Sequence, residues 1–333
     1  PMRIAYFVTS YRSPDMLLRL LRTLRRADPG CVLVVHHDRF GSDLDEAVLD
    51  GLDVHLHTSD HPVVWGDMTL EAIRWRVLGW MLDHVEFDWT VLLSEQDYPL
   101  QPLPVLHERL ASCGADAVLE ADRLDDVPHL GRRREYQRRY LYRYTDLPRW
   151  AWVDRVPSAV RRRVAPARVL ALRVLNRVQD VGRVYWFPEA LELRTKVGLR
   201  PRRSPVGLGE PVWVGSTWYA LSRPAVESLL DRVREHPELV RHFAATVIPV
   251  EAATQTLVGN DPRLVVENAP LHHIRWSRPA SGRPDVFGLD DLDELLASGL
   301  PFARKFDADD AVLDALDAHV LGTPVPAAQQ VLR

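Results

Sequence analysis

The chain has 333 residues, of which 46% are hydrophobic and 26% are charged, so it can bury a large core in one domain or in one domain with a lobe. The formal net charge of -4 argues against non-specific nucleic-acid binding by the whole molecule, and we expect no nucleic-acid partner. Two cysteines, Cys31 and Cys113, are too few for a disulfide framework. This cysteine usage predicts a reducing cytoplasm, and the sequence shows neither a signal-peptide pattern nor an apolar run near the ~20 residues that span a bilayer.

Strand and helix patterns alternate through the N-terminal part of the chain. The first predicted helix has Ser13 as its N-cap and Pro14 at its first position. The order strand, helix, strand, strand, helix, strand predicts a mostly parallel sheet covered on both faces, and such sheets bind ligands at the carboxyl ends of their strands. The predicted strands are 3–9, 31–36, 54–57 and 89–93, and the predicted helices are 14–30 and 69–84.

Carboxylates follow two of these strands. Asp38 comes just after the strand 31–36, and Glu95 and Asp97 come just after the strand 89–93. One interpretation is contact with a nucleotide, in which Asp38 accepts a hydrogen bond from a base or ribose and Asp97 lies near the sugar. The alternative is that Asp38 and Asp97 are turn residues that bond their own backbone, which is common for Asp in loops.

The segment 123–205 is rich in arginine and tyrosine. We interpret it as an inserted Arg-rich helical lobe over the mouth of the sheet, on the acceptor side, with Arg138, Arg139 and Arg143 as candidate acceptor contacts. A basic amphipathic helix is predicted from about Arg168, and it suggests weak contact with a membrane surface or a lipid-linked acceptor. The alternative is a solvated helix whose long arginine stems cover apolar surface.

After this segment, regular structure is predicted to resume with a strand at 212–221. Gly215 within it permits close approach of a ligand or of another backbone segment. Trp218 is a candidate sugar-stacking floor or, equally, a core residue, because a Trp in a strand is usually buried. The spacing alone does not separate these two interpretations.

The C-terminal part of the chain holds a carboxylate and several fixed cations. Glu251 opens a segment that looks helical, Arg283 lies in a loop, and Arg304 and Lys305 follow a predicted helix. A carboxylate suits general-base work, and fixed cations suit the stabilisation of a departing diphosphate. Taken by itself, Glu251 has a structural alternative, because a carboxylate in the first turn of a helix is stabilised by the helix dipole.

Metal dependence is a second way to stabilise a leaving group. Glu95 and Asp97 offer the oxygen ligands that hard divalent cations prefer. The 13 histidines are scattered, and no cluster of histidine and cysteine has the spacing of a zinc site. The sequence also lacks a phosphate-binding glycine-rich loop and a Gly-x-Ser-x-Gly elbow.

A set of short motifs runs in order from the first strand to near residue 307, and only the Arg-rich segment falls outside it. The motifs are Ile4-Ala5-Tyr6-Phe7-Val8-Thr9-Ser10, Val35-His36-His37-Asp38, Val64-Trp65-Gly66, Leu93-Ser94-Glu95-Gln96-Asp97-Tyr98-Pro99-Leu100, Gly215-Ser216-Thr217-Trp218, Pro249-Val250-Glu251 with Gln255-Thr256-Leu257, and Phe302-Ala303-Arg304-Lys305-Phe306-Asp307. Through this set the chain resembles the core-2/I-branching β-1,6-N-acetylglucosaminyltransferase and peptide O-xylosyltransferase family, glycosyltransferase family 14.

The resemblance implies an α/β, GT-A-like fold with a Rossmann-like nucleotide-binding sheet, a UDP-sugar donor, inversion at the anomeric carbon, and catalysis without an obligatory metal. It places Glu251 at the catalytic base, Lys305 at the phosphate-binding lysine and Asp38 at the uridine-binding aspartate of the family. Arg283 is the nearest match to a second phosphate cation, although the alignment needs a one-residue gap there. The remaining donor-side candidates are Thr9, Asp97 and Arg304.

These observations divide the chain into functional parts. We predict a nucleotide-sugar-binding half at 2–122, the acceptor-side lobe at 123–205, a catalytic half at 206–320 that completes the same domain, and a C-terminal tail at 321–333. The predicted function is an inverting, metal-independent glycosyltransferase that moves N-acetylglucosamine or xylose from a UDP-sugar to a carbohydrate, glycolipid or small-molecule acceptor. No cofactor is expected beyond the donor substrate.

Two alternatives remain at this point. One is a metal-dependent GT-A glycosyltransferase that uses Glu95 and Asp97. The other is a non-catalytic protein that binds carbohydrate or a polyanion through the Arg-rich and Tyr-rich lobe. The oligomeric state stays open in all three cases.

Overall fold

The computed structural model describes residues 2–64, 66–146, 210–277, 283–308 and 310–323. Between 147 and 209 the description covers the backbone of two strands and positions 170 and 174. Within these described parts, no helix combines the length and the apolar character needed to cross a bilayer.

The described strands form one large sheet and three small ones. In chain order they are β1 Ile4–Ser10, β2 Val32–His37, β3 Val54–Thr58, β4 Trp89–Ser94, β5 Asp97–Pro99, β6 Ala117–Leu119, β7 Asp122–Arg123, β8 Arg143–Asp146, β9 Gly182–Phe187, β10 Glu192–Leu199, β11 Trp213–Val214, β12 Tyr219–Ser222, β13 Val266–Asn268, β14 His272–Ile274 and β15 Phe302–Arg304. The central sheet has seven strands in the order β13-β6-β12-β4-β1-β2-β3, and the small sheets are β8-β10-β9, β11-β7 and β14-β15-β5.

The predicted order of strands and helices in the N-terminal part is confirmed, because β1, α1, β2, β3, α2 and β4 follow one another as expected. Asp67 caps the second of these helices through a side-chain bond from the amide of Thr69 (3.3 Å). The α-helices of the described residues are α1 Pro14–Ala27, α2 Met68–His84, α3 Leu103–Ser112, α4 Leu130–Tyr140, α5 Arg223–Glu235, α6 Pro237–Ala244, α7 Ala253–Gly259, α8 Leu292–Ala297 and α9 Asp310–Leu321.

The central sheet is mostly parallel, as predicted for an α/β, GT-A-like fold. Strand β1 pairs in parallel with both β2 and β4, and the pairs β2–β3 and β13–β6 are also parallel. Strand β12 is antiparallel to its neighbours β4 and β6. Residues from both ends of the chain therefore complete one sheet.

The alternation of side chains along β1 divides the core between the two faces of this sheet. Ala5 and Phe7 belong to the hydrophobic cluster that packs under α2, α5 and α7. Ile4, Tyr6 and Val8 belong to the cluster that packs under α1, α3 and α9. All five side chains are fully buried, which is expected for a central strand covered by helices on both faces.

The Arg-rich lobe, predicted to be helical, contains strands as well. Its described part includes helix α4 and the antiparallel sheet β8-β10-β9. Of the basic helix predicted from about Arg168, only Leu170 and Val174 lie among the described residues, and both are helical and exposed. The remainder of that prediction falls outside the described residues.

The single strand predicted at 212–221 is wrong. The chain forms two short strands instead, with β11 paired to β7 and β12 inserted between β4 and β6 of the central sheet. At Gly215, between them, an added Cβ would lie 1.8 Å from the carbonyl oxygen of Glu120, so the two backbones touch there. The strand breaks because the chain changes its pairing partners at this close contact.

Candidate active site

The carboxyl edge of the sheet brings together the loops that follow β1, β2 and β4. The amide of Asp38 donates to the carbonyl of Ser10 (2.8 Å), and the amide of Glu95 donates to the carbonyl of Thr9 (3.0 Å). The hydroxyl of Thr9 donates to the carbonyl of Leu93 (3.2 Å). Parallel neighbours end at the same edge, so residues that are far apart in the sequence meet here.

Asp38 is buried and holds two loops together. Its Oδ1 accepts from the amide of Phe40 (3.1 Å) and from the hydroxyl of Ser59 (2.7 Å), and its Oδ2 accepts from the amide of Val63 (3.1 Å). The bond to Phe40 is the local turn bond that the structural alternative describes. Contact with uridine stays a prediction for this residue.

Glu95 and Asp97, the alternative metal ligands, have different sets of partners. Glu95 accepts from the amides of Tyr11 (2.6 Å) and Arg12 (3.1 Å) and thereby shapes the loop after β1. Burial raises the pKa of Glu95 above its usual range, against the effect of these bonds. Asp97 instead accepts from the amide (2.7 Å) and hydroxyl (2.9 Å) of Ser94. Within the described ranges, no group of three or more His, Cys, Asp or Glu side chains is arranged to hold a metal ion.

Asp97 also belongs to a buried polar cluster beside β14 and β15. Arg304 Nε lies 3.7 Å from Asp97 Oδ1, and His272 Nε2 lies 3.3 Å from Asp97 Oδ2. Burial alone would raise the pKa of Asp97, but Arg304, His272 and the Ser94 bonds outweigh it and hold that pKa below the usual range. The carboxylate therefore stays ionised inside the protein.

Trp218, the candidate sugar-stacking residue, packs against this cluster. The guanidinium carbon of Arg304 lies 4.6 Å from the centre of its ring, and the ring of His272 lies 4.7 Å away. Trp218 is almost fully buried. These contacts are those of a core residue that fixes Arg304 by a cation–π interaction.

The backbone of Lys305 pairs with the segment 285–287, which follows Arg283 in the chain. The carbonyl of Lys305 accepts from the amide of Phe287 (2.9 Å), and the amide of Lys305 donates to the carbonyl of Asp285 (3.4 Å). Arg283 precedes this contact by two residues and is exposed, whereas Lys305 is buried. The Asp285 carboxylate accepts from Arg275 Nε (3.0 Å), which anchors the loop.

Glu251 ends a short 3₁₀ turn, Pro249–Glu251, just before helix α7. Its backbone carbonyl accepts from the amide of Gly215 (2.9 Å), and its carboxylate oxygen Oε2 accepts from Arg139 Nη1 (2.9 Å). The side chain remains 32% exposed. Burial raises the pKa of Glu251, and the positive charges of Arg139 and Arg132 oppose that rise. A carboxylate with a raised pKa is a stronger base, as general-base work requires.

A second carboxylate, that of Glu120, lies at this site and was not among the predicted site residues. Glu120 directly follows β6, its backbone touches Gly215, and its side chain is hydrogen-bonded to Ser216. Burial raises the pKa of Glu120, while Ser216 and Arg132 lower it. Its charge and that of Glu251 act on each other. The signal that picked out Asp38, a carboxylate just after a strand, applies equally to Glu120.

The three predicted acceptor arginines lie in different places. Arg139 contacts Glu251 directly. The carbonyl of Arg138 accepts from the hydroxyl of Tyr144 (2.6 Å), and Arg143 is exposed on β8. Of the three, Arg139 is therefore the one that the structure brings to the candidate base.

The lobe is docked on the segment that carries Glu251. The hydroxyl of Tyr140 donates to the carbonyl of Ile248 (3.0 Å), and the amide of Tyr144 donates to the carbonyl of Ala245 (2.6 Å). Tyr144 also packs with Val247, Ile248 and Val250 in a separate apolar cluster. Helix α4 and strand β8 thus pack directly on the segment that carries the candidate base.

The described residues form an α/β fold with a mostly parallel central sheet, and the partly exposed carboxylate of Glu251 lies beside the loop at Gly215. Residues 4–147 match the family model of the core-2/I-branching enzyme. Over 96% of its length the chain is 26% identical to beta-glucuronosyltransferase GlcAT14A and 24% identical to beta-glucuronosyltransferase GlcAT14B, both of Arabidopsis thaliana. It covers 65% and 66% of the lengths of those two relatives, somewhat less than two thirds. The N-terminal part of the chain is therefore similar to the core-2/I-branching enzyme family.

Solved structures give weaker likenesses. The glucosyl-3-phosphoglycerate synthase of Mycobacterium tuberculosis superposes with a TM-score of 0.30 and 15% identity, over 68% of this chain and 58% of that chain. HddC of Yersinia pseudotuberculosis gives a TM-score of 0.29 and 11% identity, over 68% of this chain and 79% of that chain. Likenesses at these TM-scores carry no information on residue roles.

Proposed function

We propose that the chain is an inverting glycosyltransferase that moves a sugar from a UDP-sugar to an acceptor hydroxyl, with Glu251 as its general base. The observation that carries this proposal is the environment of Glu251. The carboxylate is partly exposed, burial raises its pKa, and it adjoins the loop at Gly215. The similarity of residues 4–147 to the core-2/I-branching enzyme supports the same reaction class.

In the proposed reaction, one oxygen of Glu251 takes the proton of the acceptor hydroxyl as the acceptor oxygen attacks the anomeric carbon of the donor. The bond between that carbon and the diphosphate oxygen breaks at the same time, and UDP leaves with the electron pair. Attack opposite the leaving group converts an α-linked donor into a β-glycoside. General-base assistance of this kind contributes typically ~100- to 10,000-fold to the rate.

Lys305 and Arg283, with Arg304 next to Lys305 in the sequence, would stabilise the negative charge that develops on UDP. Positioned cations at a leaving group do the work that a divalent metal does in other transferases. No cofactor beyond the donor is proposed. Metal-dependent chemistry at Glu95 and Asp97 remains the competing proposal, and sensitivity to a chelator separates the two.

The transferred sugar is the open part of this proposal. The relatives are named as beta-glucuronosyltransferases, so glucuronic acid joins N-acetylglucosamine and xylose among the candidate sugars. The acceptor is proposed to be a carbohydrate, a glycolipid or a small molecule that reaches Glu251 from the side of the lobe. A cytoplasmic location and weak membrane contact are parts of the same proposal.

A transfer assay with a panel of donors tests the proposal. Purified protein is offered UDP-glucuronic acid, UDP-N-acetylglucosamine and UDP-xylose, each with a panel of oligosaccharide acceptors and with water alone. We expect one donor to be consumed with release of UDP and formation of a β-linked product, and Glu251→Gln to abolish most of that turnover. Absence of transfer and of hydrolysis with every donor, together with salt-sensitive polyanion binding, would favour the non-catalytic alternative.

A further inference from the structure

We propose that Arg139 is a positioning residue for the base: it holds the carboxylate of Glu251 in one orientation. This inference rests on the proposed function, because it requires Glu251 to be the base. It also gives Arg139 a role other than the acceptor contact predicted from the sequence.

The contact between the two side chains is short and mostly shielded from water. Arg139 Nη1 donates to Glu251 Oε2 at 2.9 Å, and the two side chains are only 21% and 32% exposed. A charge-assisted hydrogen bond of this length is stronger than one between neutral groups, and partial burial reduces its screening by solvent.

The guanidinium of Arg139 is itself held in place on α4. Its Nε donates to Glu135 Oε1 (3.3 Å), one helical turn earlier, and its central carbon lies 5.9 Å from the centre of the Tyr136 ring. An arginine fixed on several sides loses little freedom when it binds a carboxylate, so it sets the orientation of Glu251 rather than following it.

The next residue along the helix fixes α4 against the segment that carries the base. The hydroxyl of Tyr140 donates to the carbonyl of Ile248 (3.0 Å), and the carbonyl of Tyr140 is hydrogen-bonded to His242 Nε2 (2.6 Å). Arg139 and Glu251 are 112 residues apart in the sequence, yet these contacts fix the positions of their two backbone segments relative to each other.

The two carboxylate oxygens of Glu251 have different roles in this proposal. Among the residues that the structure describes, Arg139 is the side chain that hydrogen-bonds to Glu251, and it uses Oε2. Oε1 is then the oxygen that takes the proton from the acceptor hydroxyl. A fixed Oε2 holds Oε1 in one direction, which is what a general base needs for a productive geometry.

The charges around Glu251 determine the effect of removing Arg139. Helix α4 contributes Arg132, Arg139 and the phenols Tyr136 and Tyr140, and the end of β6 contributes Glu120. Burial raises the pKa of Glu251 and the negative charge of Glu120 adds to that rise, whereas Arg139 is the largest opposing influence. Without Arg139, the carboxylate would hold its proton to a higher pH.

The pH dependence of kcat/KM in Arg139→Gln tests this inference. An opposite charge within about 4–6 Å lowers a carboxyl pKa by roughly 1–3 units, so we expect the acid limb of the profile to move to higher pH by about 1 unit. The lost activity should largely return on the alkaline side. Arg139→Lys keeps the positive charge and should leave the limb near its wild-type position.

Two further variants make the test sharper. Arg134→Gln removes the same charge from an exposed position on the same helix and should leave the profile unchanged. Glu135→Gln removes the carboxylate that competes for Arg139, so the limb should move the other way, to lower pH. The second variant also decides the question if Arg139→Gln does not fold, because an unmoved limb in Glu135→Gln would contradict the inference.

A double-variant comparison separates failure of this inference from failure of the proposed function. If Arg139 acts through Glu251, then Arg139→Gln should cause little further loss of transfer when it is added to Glu251→Gln. A raised acceptor KM with an unmoved acid limb would overturn the positioning role and favour direct acceptor binding, while the proposed function would stand. If Glu251→Gln alone retains nearly wild-type transfer, the proposed function itself fails.

Discussion

Asp38 and Glu95, which follow strands of the central sheet, differ from Glu251 in how the protein stabilises their charge. Asp38 and Glu95 are buried, and each accepts hydrogen bonds from backbone amides of the loops around it. Glu251 is partly exposed, and in the described part of the chain its carboxylate is hydrogen-bonded to Arg139 alone. A carboxylate whose oxygens accept hydrogen bonds from backbone amides fixes the shape of a loop. A carboxylate with one oxygen outside such bonds can still accept a proton from a substrate.

The largest expected effect comes from Glu251→Gln, which tests whether Glu251, unlike Asp38 and Glu95, acts as a base. Glutamine keeps the size of the side chain but cannot take a proton, so transfer should fall about 100- to 10,000-fold. The affinity for UDP should persist. The melting temperature should change little, because loss of a charge at the start of a helix costs roughly 0.3–1 kcal/mol. Turnover, UDP affinity and melting are measured on one preparation.

Glu46→Gln is the matched control, since Glu46 also lies in the first turn of a 3₁₀ helix but is exposed. It should leave transfer unchanged. Near-normal turnover in Glu251→Gln, with a loss of stability equal to that of the control or larger, would show that Glu251 has a structural role and is not the base.

Gly215→Ala should have the next largest effect, because it disturbs the support of the base rather than the base itself. The new Cβ would lie 1.8 Å from the carbonyl oxygen of Glu120, so the backbone that donates to the Glu251 carbonyl must move. We expect the free energy of unfolding to fall by about 3 kcal/mol and transfer to fall with it. Urea unfolding and a transfer assay check both effects.

Gly30→Ala serves as the control, because its added Cβ would have its nearest heavy-atom contact at 3.9 Å. It should unfold at nearly the wild-type urea concentration. Unchanged stability in Gly215→Ala would show that the loop at 215–218 is less constrained than its contacts with Glu120 and Glu251 indicate.

Glu95→Gln tests whether the carboxylate of Glu95 mainly fixes the loop that follows β1. The amide nitrogen of glutamine would face the amide of Tyr11 or Arg12, donor against donor, and leave that backbone group without its hydrogen bond. We expect the free energy of unfolding to fall by about 2 kcal/mol, with a much smaller effect on turnover per folded molecule. The pattern is the reverse of that expected for Glu251→Gln.

Exposed Glu86 provides a control substitution, Glu86→Gln, which should not change stability measurably. A steep loss of turnover in Glu95→Gln, with full stability, would contradict the loop-shaping role and support metal binding there.

Lys305→Ala should give the smallest of these effects. Loss of one charged contact to a phosphate should weaken UDP binding by about tenfold, measured by calorimetry. Arg26→Ala removes an exposed positive charge on α1 and should not change UDP affinity. Both results should be the same in excess EDTA. If activity disappears with EDTA and returns with Mn²⁺, a metal ion bound by Glu95 and Asp97, rather than Lys305, stabilises the departing UDP.

The sequence by itself determined the strands and helices of the N-terminal part and their order along the chain. Apolar periodicity located β1, α1, β2, β3, α2 and β4 to within a few residues, because that periodicity reflects which face of each element is buried. The short motifs also singled out Glu251 and Lys305. These predictions depend on residues that are neighbours in the chain, and a sequence records such neighbours directly.

Only the tertiary structure decided which groups meet at the site. The pairing of Arg139 with Glu251 joins residues 112 positions apart and depends on the docking of α4. The break at 215–218 depends on the approach of Glu120, and the burial of Trp218 depends on Arg304 and His272. Each of these features arises from long-range packing between separate elements, and no local periodicity or propensity encodes which surfaces come together.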